Sequence, residues 1–201
     1  SKIDVANMLT GATPVANGGT GIASGTSGQF LKFTGSTTVA SAAVDAGISA
    51  AQMWRVTSSF TGDASPIASN LEAADSYSPG AIGSAMTESS GVFTFPSTGM
   101  WLIQFYAEFY YNGSSRFQDM SIEVTTDNSS YNSAAKNSPG ITQSEGSSTY
   151  NGAATQIIFD VTNVSTHKVR FTISVSNNST STTGNTNYNR TCFSFIRLGD
   201  T

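Results

Sequence analysis

Cysteine, histidine and charged residues are scarce in this sequence of 201 residues. The only cysteine is Cys192, so an intrachain disulfide framework is excluded and stability must come from a buried core or from oligomerisation. Charged residues make up 11% of the chain and the net charge is −4. No two of the nine Lys and Arg residues are adjacent. This distribution argues against nucleic acid or an anionic membrane as a partner, because both require clustered positive charge.

Long hydrophobic runs and metal-ligand spacings are also lacking. No segment approaches about 18 unbroken apolar residues, so the sequence predicts no membrane-spanning segment. No His/Cys cluster has the spacing of metal ligands, and we expect neither a metal nor a cofactor. Asp63 and Asp75 are candidates for calcium, but neither belongs to a dense acidic loop, and solvated carboxylates are the simpler interpretation.

The sequence contains few residue arrangements that are suited to catalysis. The only histidine, His167, falls in a short turn, where a Ser-His-Asp triad is not expected. Glu108 and Glu123, expected on adjacent strands, are the best pair for glycosidase chemistry. Pairing of these carboxylates with Lys168 or Arg170 is the more economical interpretation. We therefore expect that the protein is not an enzyme.

The segment from Gly91 to Tyr111 has the strongest strand signal in the chain. It predicts a short strand, a tight Pro–Gly turn and a long strand over 100–111, rich in aromatic and β-branched residues. Both faces of the long strand are apolar, apart from Gln104 and Glu108. A strand that is apolar on both faces is covered on both faces. In an antiparallel protein, the second cover is another sheet or another subunit.

Residues 53–201 alternate between strands and polar turns, which predicts an all-β antiparallel jelly-roll sandwich. The residues Met120, Ile122 and Val124 are expected to face inward, as are Val169, Phe171, Ile173 and Val175. No helix is indicated except one turn around 70–74. The eight predicted strands are Met53–Phe60, Ile82–Phe95, Met100–Tyr111, Phe117–Thr126, Tyr131–Asn137, Ala153–Val161, Lys168–Ser176 and Arg190–Leu198.

Residues 1–52 differ from the rest and are predicted to form an irregular, Gly-rich stalk. Their apolar pieces are too brief to bury enough surface for independent folding. We expect an intertwined multi-chain fibre stalk or trimerisation segment, with a flexible tether as the alternative. The segment Pro14–Gly21 reads PVANGGTG and is followed by GQFLK at 28–32. This pair resembles the signature of bacteriophage tail fibres and related virion appendages; a plain turn is the structural alternative.

Three segments of the head resemble the tumour necrosis factor (TNF) and complement globular-head jelly rolls. They are GVFTFP…GMWLI at 91–103, GAATQIIFDV at 152–161 with KVRF at 168–171, and TCFSFIRL at 191–198. Phe195 stands where that family prefers Gly. The resemblance implies a homotrimer, in which Leu102, Tyr106 and Tyr110 would meet neighbouring subunits. A monomer whose two sheets cover both faces of the strand is the alternative.

Long polar loops are expected to cluster at the end of the head away from the stalk, because alternate loops of an up-and-down succession lie at the same end. They span 61–81, 112–116, 138–152 and 177–189 and are rich in Ser, Thr, Asn, Gly and Tyr. Tyrosine with Ser and Asn is a mixture typical of binding loops. The candidate receptor-binding residues are Tyr77, Asn112, Arg116, Tyr150, Asn151, Asn187 and Tyr188.

These features predict the receptor-binding tip of a phage tail fibre or virion appendage. It would bind a host cell-surface glycan or protein, and would be located in the virion and extracellular when it functions. A purely structural fibre cap, a polysaccharide depolymerase and a bacterial adhesin head of the same fold are the alternatives.

Overall fold

The computed structural model describes residues 26–35, 38–42, 47–77 and 80–201, and these form β-strands joined by turns. The chain divides into two compact units, Ser1–Gly47 and Ile48–Thr201. Residues 14–21, which carry the fibre-like signature, lie outside the described residues. The strands are β1 (Phe30–Phe33), β2 (Val39–Ala42), β3 (Ala51–Val56), β4 (Phe60–Thr61), β5 (Leu71–Ala73), β6 (Ala81–Ile82), β7 (Thr87–Ser89), β8 (Val92–Thr94), β9 (Gly99–Tyr111), β10 (Gln118–Thr125), β11 (Asn132–Asn137), β12 (Thr149–Val161), β13 (Lys168–Val175), β14 (Ser181–Thr182) and β15 (Cys192–Gly199).

The described part of the first unit contains one antiparallel hairpin. Its strands β1 and β2 pair Phe30 with Ala42 and Phe33 with Val39. Phe30, Leu31 and Phe33 are exposed in the single chain. A two-stranded hairpin has marginal stability alone, because it has too little surface to bury.

The second unit, which we call the head, consists of two antiparallel sheets. The eight-stranded sheet has the order β4-β14-β9-β15-β3-β5, with β12 also paired to β9 and β6 also paired to β3. The five-stranded sheet has the order β11-β10-β13-β8-β7. The predicted all-β jelly-roll class is confirmed.

The core lies between the two sheets and is rich in phenylalanine. The rings of Phe171 on β13 and Phe193 on β15 stack across the sheets with centroids 4.1 Å apart. Burial of each such side chain is worth about 1.5–3 kcal/mol. The inward residues of β9 that are buried in this core are Trp101, Ile103, Phe105, Ala107 and Phe109. The predicted inward faces of 120–124 and 169–175 also pack in the core.

Strand register defines the two ends of the head. β3 and β9 both pair antiparallel to β15, which aligns Ala51 with Leu102 and Arg55 with Tyr106. We call the end at which β9 finishes, marked by Tyr111, the upper end. The loops 112–117, 138–148 and 176–180 lie together there, because β10, β12 and β13 begin or end beside Tyr111 or Gln118.

The loop predicted over 61–81 does not stay at the upper end. Its strand β5 pairs with Trp54–Val56 of β3, and β6 pairs with Ala51 and Gln52 at the lower end. The prediction of a helical turn around 70–74 is wrong, because Leu71–Ala73 pairs with Trp54–Val56 as an edge strand. The predicted strand over 82–95 is divided between the two sheets as β6, β7 and β8.

Candidate functional site

The outward face of the eight-stranded sheet exposes several apolar side chains. On β9 it carries Leu102, which is half-buried, and Tyr106, which is 38% exposed. The register places Ile158 of β12 on one side of Leu102 and Ile196 of β15 on the other. Ile158 is 55% exposed. Exposed apolar patches of this kind are typical of interaction surfaces.

The middle of this outward face is more polar and contains two shallow cavities. The Gln104 Nε2 atom donates a hydrogen bond of 3.0 Å to Gln156 Oε1 across β9 and β12. One cavity of about 260 Å³ is bordered by Met53, Ile82 and Ile196, and another of about 380 Å³ by Tyr106 and Cys192. Burial raises the pKa of the Cys192 thiol.

A cluster of tyrosines around Arg190 lies above these cavities. The rings of Tyr110 and Tyr150 stack with centroids 5.2 Å apart. The Arg190 guanidinium lies 5.7 Å from the ring of Tyr150 and 5.7 Å from that of Tyr188, and its Nη1 pairs with Glu108 at 2.7 Å. Contact with the Tyr188 side chain and the charge of Glu108 raise the pKa of Arg190. Arg190 therefore stays cationic and holds the two rings in place by cation–π contacts.

A pocket of about 380 Å³, which we call the Arg55 pocket, opens beside this cluster, between the segment 183–190 and the turn after β5. Arg55 contributes to its floor although its side chain is only 1% exposed. The Arg55 Nε atom pairs with Glu72 at 2.7 Å, and its Nη2 pairs with Asp75. A backbone hydrogen bond lowers the pKa of Asp75, and the charge of Arg55 acts in the same direction. The pocket is lined by Met53, Ser76, Tyr77, Asn187, Tyr188 and Asn189 in addition to Arg55.

The segment 183–190 is fixed by hydrogen bonds, so the pocket has a preformed wall. The Asn185 N–H donates to Val56 O at 2.9 Å. The Asn185 side-chain oxygen accepts from the backbone N–H groups of Asn187 and Tyr188, at 2.8 and 3.3 Å. An Asn side chain that accepts from the backbone two residues later stabilises a turn locally.

The seven predicted receptor-binding residues fall into separate groups. Tyr77, Asn187 and Tyr188 share the Arg55 pocket, whereas Tyr150 belongs to the Arg190 cluster. Tyr77 lies beside the middle of β3 rather than at the upper end, because β5 and β6 flank it along that strand.

The other three predicted residues lie at the upper end. The Asn112 side-chain oxygen accepts from Gln143 Nε2 at 2.7 Å, and Asn151 Nδ2 donates to Gly140 O at 2.6 Å. Both amides therefore fix neighbouring loops. Arg116 is exposed, with its guanidinium 5.9 Å from the ring of Phe117.

The candidate receptor-binding residues chosen from the sequence do not include Arg55, Asn189 or Arg190, although Asn189 lies in the predicted loop 177–189. The signal for Arg55 was an isolated charge between the strand residues Trp54 and Val56, which requires a buried counter-ion. The signal for Arg190 was its position two residues after Tyr188, at the start of a strand expected to contact the strand of Tyr106 and Tyr110.

The carboxylates considered for catalysis or calcium have partners within the head. Glu108 and Glu123 belong to different sheets rather than adjacent strands of one sheet, which corrects the sequence prediction. Glu123 pairs with Arg170 at 2.7 Å, as expected. Asp63 accepts from the Val175 N–H at 2.7 Å. Among residues 26–35, 38–42, 47–77 and 80–201, no group of three or more His, Cys, Asp and Glu could hold a metal.

His167 lies at the lower end, in the turn between β12 and β13. Its ring stacks on Phe159 with centroids 5.6 Å apart, and its Nε2 and Nδ1 lie 3.1 and 3.0 Å from the hydroxyls of Thr162 and Thr166. These contacts are those of a structural histidine. The described part of the chain contains no helix that is long and apolar enough to cross a membrane.

Solved structures similar to the head support its fold. No model of a protein family and no curated protein sequence matches the chain. The structure of the Eiger TNF protein of S. frugiperda has a TM-score of 0.54 and 12% identity, over 75% of this chain and 93% of that chain. Murine APRIL has a TM-score of 0.50 and 9% identity, over 74% of this chain and 98% of that chain. At such low identity the likeness shows a TNF-like jelly roll and nothing further.

Proposed function

We propose that the protein is a non-enzymatic, homotrimeric receptor-binding head of a phage tail fibre or related virion appendage. In this proposal the head attaches the virion to a host cell-surface glycan or protein. The proposal rests on two independent features: the fibre-like PVANGGTG segment at 14–21 and a TNF-like jelly roll in residues 48–201.

The exposed outward face of the eight-stranded sheet is the observation that carries the trimer. Leu102, Tyr106 and Ile158 leave apolar surface uncovered in the single chain. Covering one such side chain is worth about 1.5–3 kcal/mol, and a homotrimer would cover three copies of each. Tyr110, the third predicted interface residue, stacks on Tyr150 within one chain, so it would contribute to the same face as part of a preformed pair.

Trimerisation would give the head its avidity. Three weak sites on one rigid head bind a surface that displays many copies of the ligand far more tightly than one site does. The pocket that contains Arg55 supplies exposed tyrosines and amides for such contacts, and the upper-end loops supply exposed polar side chains.

The test is whether the purified chain blocks adsorption of its parent particle to candidate host cells. We expect dose-dependent inhibition by the folded protein and none by heat-unfolded protein. A folded head that never reduces adsorption, at concentrations where it is oligomeric, would refute receptor binding.

A structural cap is the second candidate, and the hydrogen bonds of Asn112 and Asn151 favour it. Those amides bond to neighbouring loops and so hold the loops together. Replacing residues 142–148 and 177–180 with foreign loop sequences separates the two functions. Unchanged adsorption of a particle with both replacements would favour a cap over binding through these loops.

A further inference from the structure

The pocket between Tyr77 and Tyr188 has the composition of a binding site for an uncharged ligand. Its floor holds one cation, Arg55, which is already paired with the carboxylates of Glu72 and Asp75. Two negative charges against one positive charge leave no excess positive charge to attract an anion. The buried Arg55 therefore fixes the floor, and an acidic ligand is disfavoured.

The walls of the pocket present two aromatic rings to solvent. Tyr77 is fully exposed and Tyr188 is 53% exposed. Two exposed tyrosine rings on one pocket are unfavourable in free energy when no ligand is bound, because each ring keeps apolar area in contact with water. A pyranose ring has an apolar face of C–H groups that covers such a ring, and hydroxyl groups at its edge.

The polar groups of the pocket match hydroxyl groups. The Asn187 amide carries a donor and an acceptor. The Asn189 side-chain oxygen is an acceptor, while its Nδ2 donates to Met53 Sδ at 2.7 Å. The Ser76 hydroxyl donates to Asp75 Oδ1 at 3.3 Å, and its oxygen can accept from a ligand. Each sugar hydroxyl is likewise both donor and acceptor. Small ligand sites combine aromatic contact area with a few such polar groups in a volume of roughly 300 Å³ or more.

The wall that carries Tyr188 is preformed, which reduces the entropy lost on binding. Asn185 bonds both to Val56 O and to the backbone N–H groups of Asn187 and Tyr188. Gly184 lies against Ser58, where an added Cβ would be 2.5 Å from the Ser58 carbonyl carbon. The Arg190 guanidinium supports the ring of Tyr188 from the neighbouring cluster.

We propose that this pocket binds a neutral saccharide, with one pyranose held between Tyr77 and Tyr188 and its hydroxyls bonded to Ser76, Asn187 and Asn189. The inference deepens the proposed function, because it assigns the ligand class and the position of one receptor-binding site. It places that site beside β3 rather than among the upper-end loops.

The experiment is ligand-observed NMR and calorimetry on the full chain. The probes are glucose, galactose, mannose, N-acetylglucosamine and their β-linked disaccharides, with N-acetylneuraminic acid and a sulfated disaccharide as charged counterparts. At least one neutral probe should bind with a millimolar or lower Kd. Tyr188→Ala and Tyr77→Ala should each weaken binding at least tenfold. Tyr131→Ala, at a tyrosine that directly precedes β11 of the five-stranded sheet, should change the affinity less than twofold. All variants are checked for folding by circular dichroism.

Several results would overturn the inference. They are the absence of binding by every neutral probe, unchanged affinity in folded Tyr77→Ala and Tyr188→Ala, or tighter binding of the charged probes. The adsorption assay distinguishes a failure of the saccharide-pocket inference from a failure of the proposed function. Saccharide binding without any block of adsorption refutes only the receptor role, whereas full blocking by both tyrosine variants refutes only this pocket as the receptor site.

Discussion

Arg55 and Glu72 form an ion pair across the neighbouring strands β3 and β5, and the arginine side chain is almost completely buried while the glutamate is one-third exposed. Both residues of a buried pair lose hydration on folding, so the pair is valuable mainly because either charge alone would be costly. The segments 183–190 and 75–77 cover the arginine on the outward face of the sheet and form the walls of the pocket.

We predict that Glu72→Ala lowers the free energy of unfolding by about 2 kcal/mol, because it removes one of the two carboxylates that pair with the buried Arg55 and leaves Asp75. Urea denaturation of the full chain measures the change. The matched control is Lys136→Ala, which breaks an exposed pair with Asp119 and should cost less than about 1 kcal/mol. Equal costs for the two variants would contradict the role of burial.

Asp127 caps the turn between β10 and β11, and its pKa depends on that role. Its side-chain oxygen accepts from the N–H groups of Ser130 and Ser129, at 2.7 and 2.8 Å, and from the Thr125 hydroxyl at 2.7 Å. These bonds lower the pKa of Asp127 to about 2. The carboxylate therefore contributes stability that is complete above the unfolded pKa of about 4 and is lost as the pH falls towards 2.

We predict that wild-type protein loses more stability between pH 4 and pH 2 than Asp127→Asn does. The amide of the variant can accept similar hydrogen bonds but does not titrate. Urea denaturation at several pH values measures how the free energy of unfolding of each protein depends on pH. NMR titration of the wild-type Asp127 carboxyl carbon measures the pKa directly. A pKa near 4 in the folded protein would contradict the prediction.

The outward face of β9 and β12 gives a prediction about self-association. Ile158→Glu places a charge at the exposed residue beside Leu102, so burial in an oligomer would desolvate an unpaired carboxylate. We expect wild-type protein to sediment as a trimer at micromolar concentration. Ile158→Glu should require at least a tenfold higher concentration to form the trimer. Ser133→Glu, on the exposed strand β11 of the other sheet, should sediment as wild type. A wild-type monomer at these concentrations would reject the trimer.

The fold could be predicted from sequence because its signals are local and repeated. Alternation of apolar and polar residues identified the inward faces of β10 and β13, and the aromatic run identified β9 with its two apolar faces. The pairing of the short strands β4 and β14 could not be predicted, since two residues carry no periodicity. β14 pairs with Tyr110 and Phe109 of β9 on one side and with β4 on the other, and all three strands are distant in sequence.

The candidate site was less predictable than the fold, because it depends on which distant segments meet. Tyr77, Asn187 and Tyr188 were identified by residue type. Their shared pocket forms because β5 pairs with β3, which brings the turn after β5 close to 187–188. Asn112 and Asn151 have the same composition signal, yet their amides bond within the loops. Residue type indicates what a loop side chain can bind, whereas the local hydrogen-bond geometry decides whether it is free to do so.

Cys192 provides an independent test of the proposed interface, because its side chain borders the cavity beside Tyr106 on the outward face. Burial raises its pKa, so the thiolate fraction at neutral pH is smaller than for an ordinary cysteine, and alkylation by iodoacetamide should be slow. The rate should keep rising with pH beyond about 8.5, the ordinary thiol pKa. In a trimer that covers this face, the thiol should react at least tenfold more slowly than in Ile158→Glu at the same pH and concentration. Mass spectrometry of the alkylated protein measures both rates, and equal rates would show that Cys192 lies outside any subunit interface.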